Sequence, residues 1–328
     1  MRLWDIYHSE VPEFLAEAAQ TAVMQRLTDI GMNCGCEYTN FPLFANIDSY
    51  SRYEHSMGVA LIVWHFTGDM AQAVSGLLHD IATPAFAHVI DFLHGDHLTQ
   101  ESTEQGTENV ISSSMELCKV LRKYDLSVQT VADYHIYPIA DNDSPKLSAD
   151  RLEYTLGNAV NYGIITREEA AVLYGDLSIG ENEYGETELV FKHAEIARAF
   201  ADAALECSKI YVADSDRYAM QSLAELLKCA IESDIISETD LYLPEQDIIT
   251  KLKRSPLSER WEQFCNYSEI IRSEMPTEDG VWLRVPAKKR SIDPYIMGVG
   301  RVSEVFADFG EQLRKFREST QDYWMRAE

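Results

Sequence analysis

The sequence predicts an all-α protein: a helical core with a small β-containing C-terminal extension. Three observations support this. Apolar residues recur at helical spacing through most of the chain up to residue 255. Two apolar runs, 57–63 and 71–78, are long enough to form buried helices. Strand-like alternation is scarce before residue 250, and β structure is expected only near 181–191 and 280–296.

In chain order, 10–27 reads as a helix and 29–51 as a loop rich in Gly, Asn, Pro and aromatics. Helices follow over 53–66 and 69–78. After His79-Asp80 comes a tight connection, in which Thr83 is expected to cap the next helix and Pro84 to open it. That helix should carry His88 and Asp91, three apart, on one face. Residues 95–106 read as a polar loop or short helix, 107–123 and 126–135 as helices, and 141–148 as a turn cluster. Ser148 should cap a helix beginning near Ala149. In that helix Leu152, Leu156, Ala159 and Val160 share an apolar side, while Asp150, Glu153, Tyr154, Gly157 and Asn158 form the opposite stripe. A short helix over 166–174, a hairpin over 181–191, two long helices within 193–233 and a capped helical region over 237–253 complete a core domain, 1–255. The extension, 256–328, should hold strands at 282–285 and 291–296 around a Lys-Lys-Arg turn, then an amphipathic helix over 302–317.

The chain has 328 residues, 46% of them hydrophobic, so it can bury a large core. It lacks an apolar run of 18 residues, and MRLWDIYHSEVPEF has no signal-peptide core, so no membrane span or leader is expected. The six cysteines (34, 36, 118, 207, 229, 265) make no C-x-x-C pair, which points to buried thiols in a reducing cytoplasm. A formal net charge of −26 argues against duplex nucleic acid as a partner. It leaves room for a small phosphate ester, because a metal and local arginines can invert the field inside one cleft.

The candidate chemistry lies in His55, at the head of one apolar run, His79 and Asp80, at the end of the other, and Asp150 from far along the chain. Histidine and aspartate at a buried helix end need partners, and a divalent metal is a good one. Two imidazoles and two carboxylates suit one transition-metal ion (Mn, Fe, Ni, Co or Zn) better than Mg or Ca. Taken alone, a His-Asp dipeptide is a weak signal, since a C-capping His beside a solvated Asp is the commoner reading.

Motifs in order strengthen it. Gln25, Arg26, Leu27 and Ile30 precede Phe41-Pro42; RYEHSMGV covers Arg52 to Val59; LLHD is followed by P-x-F-x-H; ADRLEY starts at Ala149. Together, over about residues 20–165, they resemble the HD-domain phosphohydrolases, nearest the deoxynucleoside triphosphate triphosphohydrolase branch that includes the eukaryotic SAM-and-HD-domain enzyme. The resemblance implies a helical HD-domain core, a metal on His55, His79, Asp80 and Asp150, substrate phosphates near Arg52 and Arg151, and a sugar near Tyr154. A helix-end pair between Arg52 and Glu54, and ordinary partial burial of Tyr154, are the alternatives.

Three departures qualify the resemblance. Ala82-Thr83 stand where the family has Gly-His, so a group that would titrate is missing at Thr83. Thr103 replaces the His of a His-Glu-Gln-Gly motif, and Gly157-Asn158 replace Arg-Asp. His88, paired with Asp91 and raised in pKa by it, is the expected replacement acid or base; His94 and His97 are further candidates. His65, His135 and His193 are expected to be satisfied core residues. The resulting expectation is a metal-dependent phosphohydrolase acting on a nucleotide or related small phosphate ester, with weak or altered triphosphate cleavage. The alternative is a nucleotide-binding regulatory protein with little or no turnover. A homo-oligomer is compatible with either.

Overall fold

A computed structural model describes residues 3–93, 106–278 and 280–328. Short helices α1 (Glu13–Ala19) and α2 (Ala22–Gln25) lead into the central α3 (Arg52–Thr67) and α4 (Met70–Leu78). Next come α5 (Val89–Leu93), α6 (Thr107–Ser113), α7 (Met115–Lys123), α8 (Val128–Val131), α9 (Ala149–Asn161) and α10 (Arg167–Gly175). The hairpin β1 (Leu177–Glu181) and β2 (Thr187–Phe191) precedes the long α11 (Ala194–Ile210) and α12 (Asp214–Glu232), then α13 (Glu245–Lys253) and α14 (Ser258–Asn266). The chain ends with β3 (Ile270–Ser273), β4 (Tyr295–Ile296), β5 (Gly300–Arg301), α15 (Val302–Val305), α16 (Ala307–Glu318) and β6 (Trp324–Ala327). The architecture is a helical core with a small β portion. No helix among the described residues is long and apolar enough to cross a membrane.

α3 is buried from His55 to Val63, which is why its sequence is apolar all round rather than striped. A capping box fixes its start: the Ser51 hydroxyl accepts from the Glu54 N–H, and the Glu54 carboxylate accepts from the Ser51 N–H at 3.0 Å. Glu54 is thereby engaged, and Arg52 pairs with Asp80 instead. α4 and α9 pack on α3. Gly58 permits the α9 contact, since a Cβ there would meet Glu153 Cγ at 2.5 Å.

Several expected helices break where a polar side chain captures backbone. The 10–27 segment turns at Thr21, whose hydroxyl returns to the Ala18 carbonyl at 2.7 Å. The 107–123 segment divides at Ser114, which caps α7. The 126–135 segment divides where Asp133 takes the His135 N–H at 3.0 Å, and 302–317 divides at the extended Phe306. Thr83 does not cap the next helix: its hydroxyl goes to Asp80, and Phe86 and Ala87 take left-handed φ of 60° and 45° before α5 begins. Of the strands expected in the extension, 282–285 contributes an isolated bridge from Leu283 to Met325, and 291–296 only Tyr295–Ile296. The antiparallel pair β3–β6 and the helix α14 lay outside the sequence reading.

Among the described residues, two large hydrophobic cores form, one around α3, α4 and α9 and one around α12–α14, with a small third cluster at Ala159, Ala203 and Cys207. β2 pairs in parallel with β4 at Phe191 and Ile296, joining the hairpin to the chain beyond 256. There Arg301 donates to both oxygens of the fully buried Glu188, at 2.7 and 2.8 Å, and to Glu183 at 2.9 Å.

Candidate metal centre

The N-terminus of α3, the C-terminus of α4 and the N-terminus of α9 meet in one cavity of about 730 Å³. α4 ends at Leu78, so His79 and Asp80 leave the helix as consecutive residues that can both turn inward. His79 Nδ1 donates to the Gly76 carbonyl at 2.7 Å, satisfying a helix-end acceptor and leaving Nε2 for the cavity. His55 is fixed likewise: its Nδ1 donates to Glu153 Oε2 at 2.6 Å. The two Nε2 atoms then face each other at 3.2 Å. Asp150 Oδ1 lies 3.0 Å from His55 Nε2 and 3.7 Å from His79 Nε2, and Asp80 Oδ2 lies 4.0 and 3.6 Å from the same atoms.

His55, His79 and Asp80 form a buried group whose donor atoms all lie within 4.8 Å of one another and could hold a metal ion, and Asp150 stands beside His55 outside that group. Metal–ligand bonds of about 2.1 Å separate pairs of donors by about 3–4 Å, depending on their angle at the ion, which is the range found here. With both Nδ1 protons committed, the two Nε2 atoms can face each other only with a proton or a cation between them. The carboxylates around the two imidazoles favour positive charge at this point. Burial opposes charge on His55, but its bonds to Asp150 and Glu153 prevail and push its pKa up to about 10. Burial would raise Asp150, yet His55 holds it down to about 2. Burial is likewise overcome at Asp80 by Arg52 and both imidazoles, which hold it well below the usual carboxylate range.

The remaining expected residues fall into different positions. Arg52 Nη1 donates to Asp80 Oδ2 at 2.9 Å and lines the cavity. Arg151 also lines it, but its Nη1 donates to Asp141 at 2.9 Å and Asn142 at 3.1 Å, tying it to the 141–148 loop. Tyr154 lies in the wall, edge-on to Tyr211. Thr83 is fully buried, does not line the cavity, and donates to Asp80 Oδ1 at 2.8 Å. His88 lines the cavity with Nδ1 bonded to Asp91 at 2.9 Å. Its pKa, however, is pushed down to about 4, because burial, Arg290 and Arg52 outweigh Asp91. The expected upward shift is therefore corrected, and neutral His88 offers Nε2 as an acceptor rather than a proton. His65, His135 and His193 are all exposed, not core residues, and His135 stands in the cavity wall. His94, His97 and Thr103 lie outside the described residues.

Sequence reading missed three contributors. Glu153 orients His55 and is itself held by the Tyr50 hydroxyl. Gly157 makes room for that tyrosine, whose ring would collide with any Cβ there. Lys288, Lys289 and Arg290 reach the cavity from the extension. Lys289 Nζ is anchored on the Arg317 carbonyl at 2.7 Å, and Ser291 is held by Ser144. The signal for Glu153 was its place one turn after Asp150; the cationic strap left only its charge.

No family model matches the chain. It is 27% identical over 302 residues to the uncharacterized protein YdhJ of Bacillus subtilis, covering 90% of this chain and 88% of that one. It is 25% identical over 300 residues to the metal-dependent phosphohydrolase cns2 of Cordyceps militaris, covering 88% and 83%. A hypothetical protein from Aquifex aeolicus superposes with a TM-score of 0.67 at 18% identity, covering 97% and 93% of the two chains. A phosphohydrolase from Bacteroides thetaiotaomicron gives 0.62 at 17%, covering 97% and 96%; both share this fold. The chain thus shares its fold with these structures and is similar in sequence to a metal-dependent phosphohydrolase.

Proposed function

We propose that this chain is a metal-dependent phosphohydrolase acting on a nucleotide or a related small phosphate ester. The observation that carries it is the convergence of His55 and His79 Nε2, each with its other nitrogen spent on a fixed acceptor, beside Asp80 and Asp150. His55, His79, Asp80 and Asp150 would hold one divalent ion from the Mn, Fe, Co, Ni and Zn group. When bound, it supplies Lewis acidity toward a phosphoryl oxygen and acidifies a water.

The chain's own residues set what reaches that centre. Arg52 steadies Asp80 and adds positive charge at the wall, and Lys288, Lys289 and Arg290 extend that charge to the mouth. These cations favour a phosphate inside an otherwise acidic molecule. Arg151 acts through the loop it braces. Tyr154 provides a flat surface for the sugar. His88, neutral and oriented by Asp91, can accept a proton but supplies none near neutral pH. A poor leaving group that needs an acid would therefore depart slowly, which favours small or monophosphate esters over efficient deoxynucleoside triphosphate cleavage. The same shortage of an acid favours the second reading, a nucleotide-binding protein without turnover.

The test is a panel of nitrophenyl phosphate, nucleoside monophosphates and deoxynucleoside triphosphates with Mn, Co, Ni or Mg. We expect turnover with a transition metal that His79→Ala abolishes. No turnover of any ester with any metal would overturn the hydrolase and leave the binder.

A further inference from the structure

The cavity holds polar groups that the metal chemistry does not use. Asp150 and Asn158 are eight residues apart on α9, about 12 Å along its axis, with Tyr154 midway on the same side. Asn158 is 6% exposed and lies in the cavity wall. Its Nδ2 donates to the Tyr211 hydroxyl at 2.8 Å, while its Oδ1 has no hydrogen-bond partner. A buried amide oxygen left so is uncommon, and a donor from a bound molecule would complete it. Asp216, in the first turn of α12, lines the same cavity. Its polar contact there is Cys36 Sγ at 3.9 Å, too long and too weak a donor to satisfy a carboxylate.

One unmet acceptor, Asn158 Oδ1, and one carboxylate with only a thiol donor thus share a chamber with three tyrosines. Tyr162 gives its hydroxyl to Asn33 Oδ1 at 2.9 Å, and Tyr154 and Tyr211 stand edge to face with centroids 6.4 Å apart. Met32 and Met220 fill the rest of this wall. Flat aromatic walls with acceptors at one side suit a planar ring that carries N–H groups at its edge.

We propose that this part of the cavity is a recognition subsite for a nucleobase bearing an exocyclic amino group, whose N–H donors are taken by Asn158 Oδ1 and the Asp216 carboxylate. Adenine, guanine and cytosine offer such an amino group; hypoxanthine and uracil place an oxygen or a hydrogen there. The proposal names the substrate class of the site described above and rests on that reading only for the phosphate end. The helix spacing supports the pairing, since a phosphate at Asp150 and a base at Asn158 lie a nucleotide's length apart.

The test uses nucleosides, which carry no phosphate, with the full-length protein followed by thermal melting. Adenosine, guanosine or cytidine should raise Tm by about 3 °C at saturation, while inosine and uridine leave it unchanged. Asp216→Asn should weaken binding of the amino nucleoside at least tenfold, and an unchanged affinity would remove Asp216 from the subsite. Equal shifts from amino and oxo nucleosides, or none from either, would overturn the subsite. Stronger binding of inosine and uridine would overturn it too, showing the Asn158 amide turned with its nitrogen outward. Because the nucleosides carry no phosphate and are read by binding alone, failure of the subsite and failure of the hydrolase are separable.

Discussion

Glu153 Oε2 lies 2.6 Å from His55 Nδ1, and this contact determines which nitrogen of His55 faces the cavity. Residues outside the ligand set commonly orient ligands in this way, and losing one costs about 10–100-fold in metal affinity or activity. Glu153→Gln should therefore weaken Mn binding by about that factor while leaving the fold intact. Calorimetric titration reads it; an unchanged affinity would remove Glu153 from the site.

The ligand set predicts metal content directly. Wild-type protein should carry about one transition-metal ion per chain, and His79→Ala and Asp150→Ala should carry little. Chelation should take phosphoester hydrolysis to background, and re-addition of Mn should restore it. Equal metal in all three proteins by elemental analysis would refute the centre.

Thr83 stands where the HD-domain enzymes that the sequence resembles have a histidine, and its hydroxyl is spent on Asp80 Oδ1 in a fully buried position. Thr83→Val should cost ~1–3 kcal/mol by leaving that oxygen unmet. Thr83→His should be no rescue: the larger ring would overpack the site by ~1–3 kcal/mol instead of gaining activity. Denaturant melts of both variants, read beside turnover, check this; a stable, faster Thr83→His protein would contradict it.

His88 sets a pH signature. Its folded pKa, about 4, lies below the ordinary histidine value, so the unfolded chain binds the extra proton between about pH 6.5 and 4. The stability from keeping His88 neutral is present above that window and is lost as pH falls through it, by about 3 kcal/mol in all. His88→Gln should flatten this slope. Melts at a series of pH values test it, and an identical slope in the variant would show that His88 is not the group responsible.

The placement of the candidate ligands at helix ends was legible because the sequence marks each end: Ser51 with Glu54 before His55, the end of an apolar run before His79, Ser148 before Asp150. Local chemistry sufficed there. What pKa His88 would adopt was not legible, because it depends on Arg290, two hundred residues away, and on burial that periodicity does not report. Arg151 looked free in sequence for the same reason; the turn at 141–148 folds back to occupy it. Helix breaks at Ser114 and Asp133 went unread because capping competes with apolar periodicity that continues through them.

Arg301 and Glu188 form the buried link between hairpin and extension. Arg301→Met should destabilise the protein by about 3–5 kcal/mol, since it strands a buried carboxylate. It should also loosen the 288–290 strap and raise KM for phosphate esters more than it lowers kcat. A variant as stable as the wild type would show Glu188 satisfied by Leu147 and Asn182 alone.

The lysine–lysine–arginine strap sits on a molecule whose formal charge is −26, and the two act over different ranges. Beyond about 8 Å, the screening length at physiological salt, an approaching anion feels the molecule mainly through residual repulsion. At the mouth it meets three cations. Moderate salt should thus speed capture of a compact anion by muting the distant repulsion before it weakens the close attraction, giving a rate that passes through a maximum with ionic strength. A long polyanion keeps most of its length in the repelling field wherever its end is placed. The strap and the acidic shell together should then act as a sieve that selects anions by length, and a capture rate that only falls with added salt would contradict it.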